Sequence, residues 1–318
     1  MSGVLEQRYR RLLGWYPRSW RERHGDAMVG TLLDVADAQG RHEPTWSESV
    51  DLARGGLAAR LGVVVPEAVR DGAAAVALAT GTAFSLVYVL FVSWAPLVPD
   101  GEAWPTTSVF GPFTDPGVVL GLLWATAAAL WLVDDDRVAR GALVVLLVVL
   151  VGLPLTGADG LALGWDGPTS TNLGFQALLA VLALVGTPRR RARLALATLV
   201  WAVAFSAVYL GNGMLGTSGA WFWASPAQFG NLALGGLLAV VAAFVLAAAG
   251  RATAALVTLA SLAPWAGVAA VQLVVVGRPD AFSLAVAAVA VALAVATVGL
   301  ARRRSRRERA AAGRPLAT

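Results

Sequence analysis

Residues 72–95 read GAAAVALATGTAFSLVYVLFVSWA, a run without one charged side chain. A bilayer core is crossed by about 20 apolar residues of helix, and by as few as about 17, so this run is long enough to span it. Seven more follow at about 116–133, 139–156, 170–187, 194–211, 227–249, 253–276 and 282–300. The runs at 139–156 and 170–187 barely reach spanning length, which makes their hairpin the weakest part of the count. The expected fold is therefore all-α. It is a polytopic membrane protein of about eight transmembrane helices over residues 72–301, with a small helical domain at 1–71 and a basic tail at 302–318.

Composition agrees. Of 318 residues, 57% are hydrophobic and only 14% charged, against about 25% charged in an ordinary soluble domain. A formal charge of +5 would suggest a nucleic-acid partner if spread over one soluble surface, but the 25 basic residues, all Arg, are clustered, so none is expected. There is no Cys, which excludes a disulfide framework and thiolate chemistry. Residues 1–71 are too charged to read as a cleavable signal peptide, and this end is expected to be retained.

Arg and Lys are held on the cytoplasmic side of short membrane loops. Segments 96–115, 157–169 and 212–226 hold no Arg, and 277–281 holds only Arg278. The alternate connections hold Arg137, Arg140, Arg189, Arg190, Arg191, Arg193 and Arg251. Both termini therefore fall inside, in a bacterial plasma membrane, with 24 of 25 Arg residues cytosolic. Trp94, Trp104, Trp165, Trp221 and Trp223 fall at the outer boundary and Trp131 at the inner one, where indoles anchor among headgroups.

The first 71 residues carry ten Arg and ten Asp or Glu, so they are near neutral. Leu5, Tyr9, Leu12, Leu13 and Tyr16 share a helical face, and Pro17 starts a second helix whose face holds Trp20, Ala27, Met28, Leu32 and Val35. Gly40 is positioned to cap it. Thr45 and Glu48 read as a capping box opening a third helix, with Trp46, Val50, Ala53, Leu57 and Leu61 as its apolar stripe. Three helices in about 60 residues make a marginal core, which either stands as a self-contained three-helix domain, the preferred reading, or is completed by a partner or the membrane surface. Tyr9, Leu13, Tyr16, Trp20 and Trp46 are the candidate interaction face.

The stretch RYRRLLGWYPRSWRERHGDAM, then Leu32, Leu33 and Asp34, and the helix VDLARGGLAARLG resemble the cytosolic helical prefix ahead of membrane spans in many actinobacterial proteins, akin to HAAS-type and permease-prefix domains. Tyr16-Pro17, Arg21, Arg23, Gly25 and Met28 carry the likeness, which covers under a quarter of the chain. The resemblance implies regulation of, or coupling to, a membrane partner such as a transporter. It transfers no active-site residue.

An internal duplication is a further expectation. AFSLVY at 83–88 matches AFSAVY at 204–209, LLWATAA at 122–128 matches LLAVVAA at 237–243, Pro154 parallels Pro264, and VGTPRRRAR at 185–193 parallels VGLARRRSR at 298–306. Two four-span halves would form a parallel 4+4 repeat. The competing reading is low complexity in Ala, Val and Leu.

No Asp, Glu, Lys, Arg or His falls near the middle of a run, which argues against proton coupling and intramembrane hydrolysis. Asn172, Gln176, Gln228, Asn231 and Gln272 are the polar bundle candidates, either lining a path or hydrogen-bonding between helices, with the second preferred. Asp134, Asp135 and Asp136 read as a solvated turn rather than a cation site, and His24 and His42 lack zinc spacing. No catalytic, cofactor-binding or metal residue is assigned and no cofactor is expected. The expected function is a non-enzymatic membrane protein that regulates or couples to another membrane component. The alternative is a transporter or the permease subunit of a complex, and the absence of a GxxxxGK[ST] loop would place any ATPase on a partner subunit. Besides the lipid bilayer and that partner, the sequence indicates no oligomeric state.

Overall fold

The computed structural model describes residues 2–94, 113, 117–155, 168, 170–188, 191–214, 226–275 and 281–312. These are helical, with no strand among them; one isolated antiparallel bridge joins Trp94 to Phe113. The chain divides into two compact units, Met1–Glu67 and Ala68–Thr318.

The first unit holds α1 (Ser2–Leu12), a 3₁₀ turn (Leu13–Trp15), α2 (Arg18–Ala38) and α3 (Trp46–Val64). Tyr16 is extended, as the residue before a proline must be, and the Pro17 carbonyl accepts the first amides of α2. The core consists of Leu5, Tyr9, Leu13, Tyr16, Val29, Ala36 and Leu52. On α2 the buried positions are Gly25, Val29 and Ala36, whereas Ala27 and Val35 face outward. Of the expected face, Trp20, Met28 and Leu32 pack against that core. Gly40, with φ of 62°, ends α2: its amide bonds the Asp37 carbonyl at 3.0 Å and that of Arg41 bonds Ala36 at 2.9 Å, the Schellman pattern.

The second unit holds α4 (Glu67–Tyr88) with a π-helical turn (Val89–Ser93), α5 (Gly117–Leu132), α6 (Asp136–Leu155), α7 (Ser170–Val185), α8 (Arg191–Met214), α9 (Pro226–Ala248), α10 (Ala252–Ser261), α11 (Ala263–Val275) and α12 (Ala281–Ala312). Each apolar run of the sequence carries a helix. By length and composition three are able to cross a membrane, namely Glu67–Phe91, Ala252–Val271 and Ala281–Arg304, while Gly117–Leu132, Thr171–Val185 and Ala233–Ala248 are shorter apolar helices. The seventh run is interrupted at Leu262, just before Pro264, whose missing N–H and ring disfavour a continuous helix. Pro154 lies in the last turn of α6.

α4 is the most buried of these three long helices. Buried share is 67% for its apolar window but 17% and 11% for Ala252–Val271 and Ala281–Arg304. Val144, Val148 and Val151 of α6, Leu196, Leu199 and Val203 of α8, and Val291 and Val295 of α12 are exposed. An apolar surface of that extent is suited to hydrocarbon rather than water. Inside, the Trp124 indole lies against Gly81, where any Cβ would strike the ring. Phe84, Phe175, Trp201, Phe205 and Trp265 form an aromatic cluster across α4, α7, α8 and α11, with Phe175 and Trp265 centroids 4.7 Å apart. Trp131 is 2% exposed, so it is a core residue rather than an inner-boundary anchor. Trp104, Trp165, Trp221 and Trp223 lie outside the described residues.

The acidic run is a turn between two caps. Asp134 takes φ of 69° as the left-handed residue ending α5 and pairs with Arg191, while the Asp135 carboxylate accepts the Val138 amide at 3.2 Å to open α6.

Candidate functional site

Two arrangements concentrate the polar and apolar features that the sequence singles out. The first is the outward face of α3. Its start is the expected capping box: the Glu48 amide donates to Thr45 Oγ1 at 3.2 Å, and the Thr45 amide donates to Glu48 Oε2 at 3.0 Å. Arg41 adds a fork to the same carboxylate, donating at 2.9 and 2.8 Å, and the Tyr9 hydroxyl donates at 3.2 Å. Arg41 hydrogen bonding, aided by the Thr45 amide, holds the Glu48 carboxyl down at about 2 against the upward pull of burial. Burial, then the adjacent Glu48 charge, pushes the Tyr9 phenol up.

Further along α3, Gly55 meets the Tyr16 hydroxyl and Gly56 meets Trp15, where a Cβ would lie 2.6 Å from the Trp15 Cβ. These glycines let the 3₁₀ turn approach the helix. Arg60 then caps that turn, donating to the Trp15 carbonyl at 2.6 Å and the Gly14 carbonyl at 2.8 Å. Leu52, Gly56 and the half-buried Gly55 and Ala59 thus face the core. The apolar stripe read from the sequence points the other way: Trp46 is 83% exposed, Leu57 54% and Val50 43%, while Ala53 is half-buried. The Leu61 side chain lies outside the described residues.

Of the candidate interaction face, Tyr9, Leu13 and Tyr16 are core residues, and Trp20 packs against them with its ring 4.1 Å from that of Tyr16. They are taken up inside the unit and leave only Trp46 on its surface. The missed signal is the Gly55-Gly56 pair, which marks the side of α3 that must lie close to another backbone.

The second arrangement is a buried polar network in the other unit. Asn172 and Gln176, one turn apart on α7, are 4% and 2% exposed, and Gln176 Nε2 donates to Asn172 Oδ1 at 2.7 Å. Gln176 Oε1 accepts from Ser85 Oγ of α4 at 3.0 Å and from Trp124 Nε1 of α5 at 2.9 Å. Three helices are thereby tied at one amide, which is the interhelical use rather than a solvated path. Ser85 and Trp124 were not singled out by sequence, since nothing local couples them to Gln176. Gln228 and Asn231 of α9 and Gln272 of α11 have side chains outside the described residues. His24 is tilted against Trp20, with ring centroids 5.3 Å apart.

Comparison of the chain with protein-family models, with curated proteins and with solved structures finds no match.

Proposed function

We propose that this chain is a non-enzymatic, multi-pass protein of the bacterial cell membrane, whose amino-terminal unit docks another membrane protein through the outward face of α3. The observation that carries the reading is the exposed stripe of Trp46, Val50 and Leu57 on a helix whose other side is fully committed to the core. Such a face is ready-made for a partner helix. A protein is favoured over the lipid surface because residues 1–71 balance ten Arg against ten acidic residues and Arg54 and Asp51 flank the stripe, whereas helices that bind anionic leaflets are basic. The resemblance to permease-prefix domains points the same way.

Eight spans with both termini cytoplasmic belong to this reading. They are supported by the helix at each apolar run, by the outward-facing apolar surface and by the sorting of Arg between connections. The parallel 4+4 repeat has weaker support, since the tight pairing of α9 with α12 has no α5–α7 counterpart among the closely packed pairs.

The test is photo-crosslinking in native membranes from an amino acid placed at position 46, 50 or 57, with position 52 as the buried control. Protein adducts from the first three that are absent from the fourth are expected. Lipid adducts alone, or the same protein adducts from position 52, would contradict the reading.

A transporter or permease subunit is the second reading, favoured by the break at Leu262 between α10 and α11, because interrupted helices are how many transporters build a site at mid-membrane. Uptake or efflux unchanged on deletion of the protein would count against it.

A further inference from the structure

α12 runs unbroken from Ala281 to Ala312, well past the apolar run that ends near residue 300. The stretch ARRRSRRERAAA at 301–312 holds no glycine or proline, so nothing in the chain stops the helix at the end of that run. Helical periodicity then carries each face of the apolar part into the basic part. Leu284, Val291, Val295, Arg302, Arg306 and Arg309 follow at steps of seven, four, seven, four and three, which is one stripe. The apolar members of this stripe are exposed, and so are Arg302 and the adjoining Arg303.

The opposite face of α12 is taken up by packing. Thr297 and Ala301 are fully buried, Leu300 packs with Ala243, Ala247 and Ala255 of α9 and α10, and Arg304 lies by Gly250 in the α9–α10 turn. Glu308 falls in register with this packed face, seven residues after Ala301 and four after Arg304. It is the only acidic residue in α9, α10, α11 and α12. α4 meets α10 where Gly72 lies against Val257, and it opens with Glu67, Arg70 and Asp71, the last already engaged by the Thr187 amide. With these and Asp134, Asp135 and Asp136 included, the Arg-rich connections and tail from residue 67 onward still hold fifteen Arg against six Asp or Glu.

One helix face thus passes from Val291 and Val295, suited to acyl chains, to Arg302 and Arg306, with no acidic residue between them. The rise from Arg302 to Arg306 is about 6 Å, which matches a headgroup layer of roughly 5–8 Å on one side of a bilayer. In a helix the Cα–Cβ bonds lean toward the amino-terminal end, here back toward the apolar stretch, so Arg302 and Arg303 are directed to the boundary rather than away from it. We propose that the outward face of α12, at its Arg-rich end, binds the headgroups of anionic phospholipids. The continuous stripe favours a lipid over a soluble polyanion, which would make no use of Val291 and Val295. The inference rests on α12 crossing a bilayer, as in the function proposed above, and not on the docking face of α3.

The test reconstitutes the full chain in bilayers of equal phosphatidylglycerol and phosphatidylcholine with matched acyl chains, extracts it in neutral detergent, and counts the retained lipids by mass spectrometry. The wild type is expected to retain phosphatidylglycerol over phosphatidylcholine by at least about fivefold, the worth of one basic side chain at an anionic surface. Arg302→Gln/Arg303→Gln is expected to bring that ratio within about twofold. Arg137→Gln/Arg193→Gln, which removes two equally exposed charges from other connections, is expected to leave it unchanged. Washing the wild type in about 0.5 M salt is expected to lower the ratio toward one, and supplies the answer if the α12 pair does not fold.

The proposal is overturned if the α12 pair keeps the wild-type ratio, if the Arg137 and Arg193 pair lowers it as far, or if salt leaves it intact. Release of the lipid by millimolar glycerol phosphate at matched ionic strength would make a soluble phosphate the occupant, and overturns it too. Equal retention of the two lipids by the wild type removes the site but leaves α12 in the membrane, whereas retention of neither speaks against the membrane placement as well. The crosslinking of α3 is independent of every one of these outcomes.

Discussion

Glu48 does three jobs with one carboxylate: it closes the capping box of α3, receives the Arg41 fork and accepts the Tyr9 hydroxyl. Glu48→Ala is expected to destabilise the amino-terminal unit by about 1–2 kcal/mol, the sum of a lost cap and lost charged hydrogen bonds. Faster amide exchange along α3 in the full chain is the check. Because the folded carboxyl sits at about 2, below its ordinary 4.5, its contribution is fully present above about pH 4.5. It fades as pH falls from there toward 2, and stays constant between pH 5 and 8. In the bundle, Gln176→Leu strips Ser85 and Trp124 of their shared acceptor. The expected cost is about 1–2 kcal/mol, read as a lower Tm in detergent, with a changed indole environment at Trp124. The box of Thr45 and Glu48, the cap at Gly40 and the Asp134 turn were legible in the sequence because each is chemistry within four residues of chain. The Gln176 network was not, because its donors stand 91 and 52 residues away.

Helix orientation was the less legible property. The periodicity of α3 is real, but periodicity alone does not say which side of a helix meets the core when that side is lined by Gly55, Gly56 and Ala59. A paired substitution separates the two orientations. Leu52→Ala is expected to cost about 2–4 kcal/mol as a core truncation, and Leu57→Ser less than about 0.5 kcal/mol, by thermal melting of the full chain. The reverse order would place the stripe, not Leu52, in the core. In the bundle, α4 and α5 close on each other through a glycine opposite an indole. Gly81→Val forces that ring out of its slot and is expected to cost about 1–3 kcal/mol, while Gly174→Val, where a Cβ has open space, is expected to be tolerated. The same melting curves report both.

For the protein as a whole, the sorting of charge from apolar length made the helical segments readable: each of the eight runs carries a helix, with a break at Leu262 in the seventh and with α12 continuing well past its run to Ala312. The surface that remains apolar after packing, on α6, α8 and α12, then asks for a hydrocarbon environment. The amino-terminal unit is different in kind, near neutral and folded around its own core, with Trp46, Val50 and Leu57 of α3 left exposed. The proposed function reads these as a membrane bundle and a docking unit. Since the chain has no cysteine, single cysteines can be introduced without removing any native one. The most direct test is labelling of such cysteines with a membrane-impermeant maleimide in intact cells, one per variant, at positions 49, 100, 137, 159, 218 and 251. The account predicts labelling from outside at 100, 159 and 218 only, with 49, 137 and 251 reached after the membrane is opened; labelling of 49 or 251 in intact cells would contradict it.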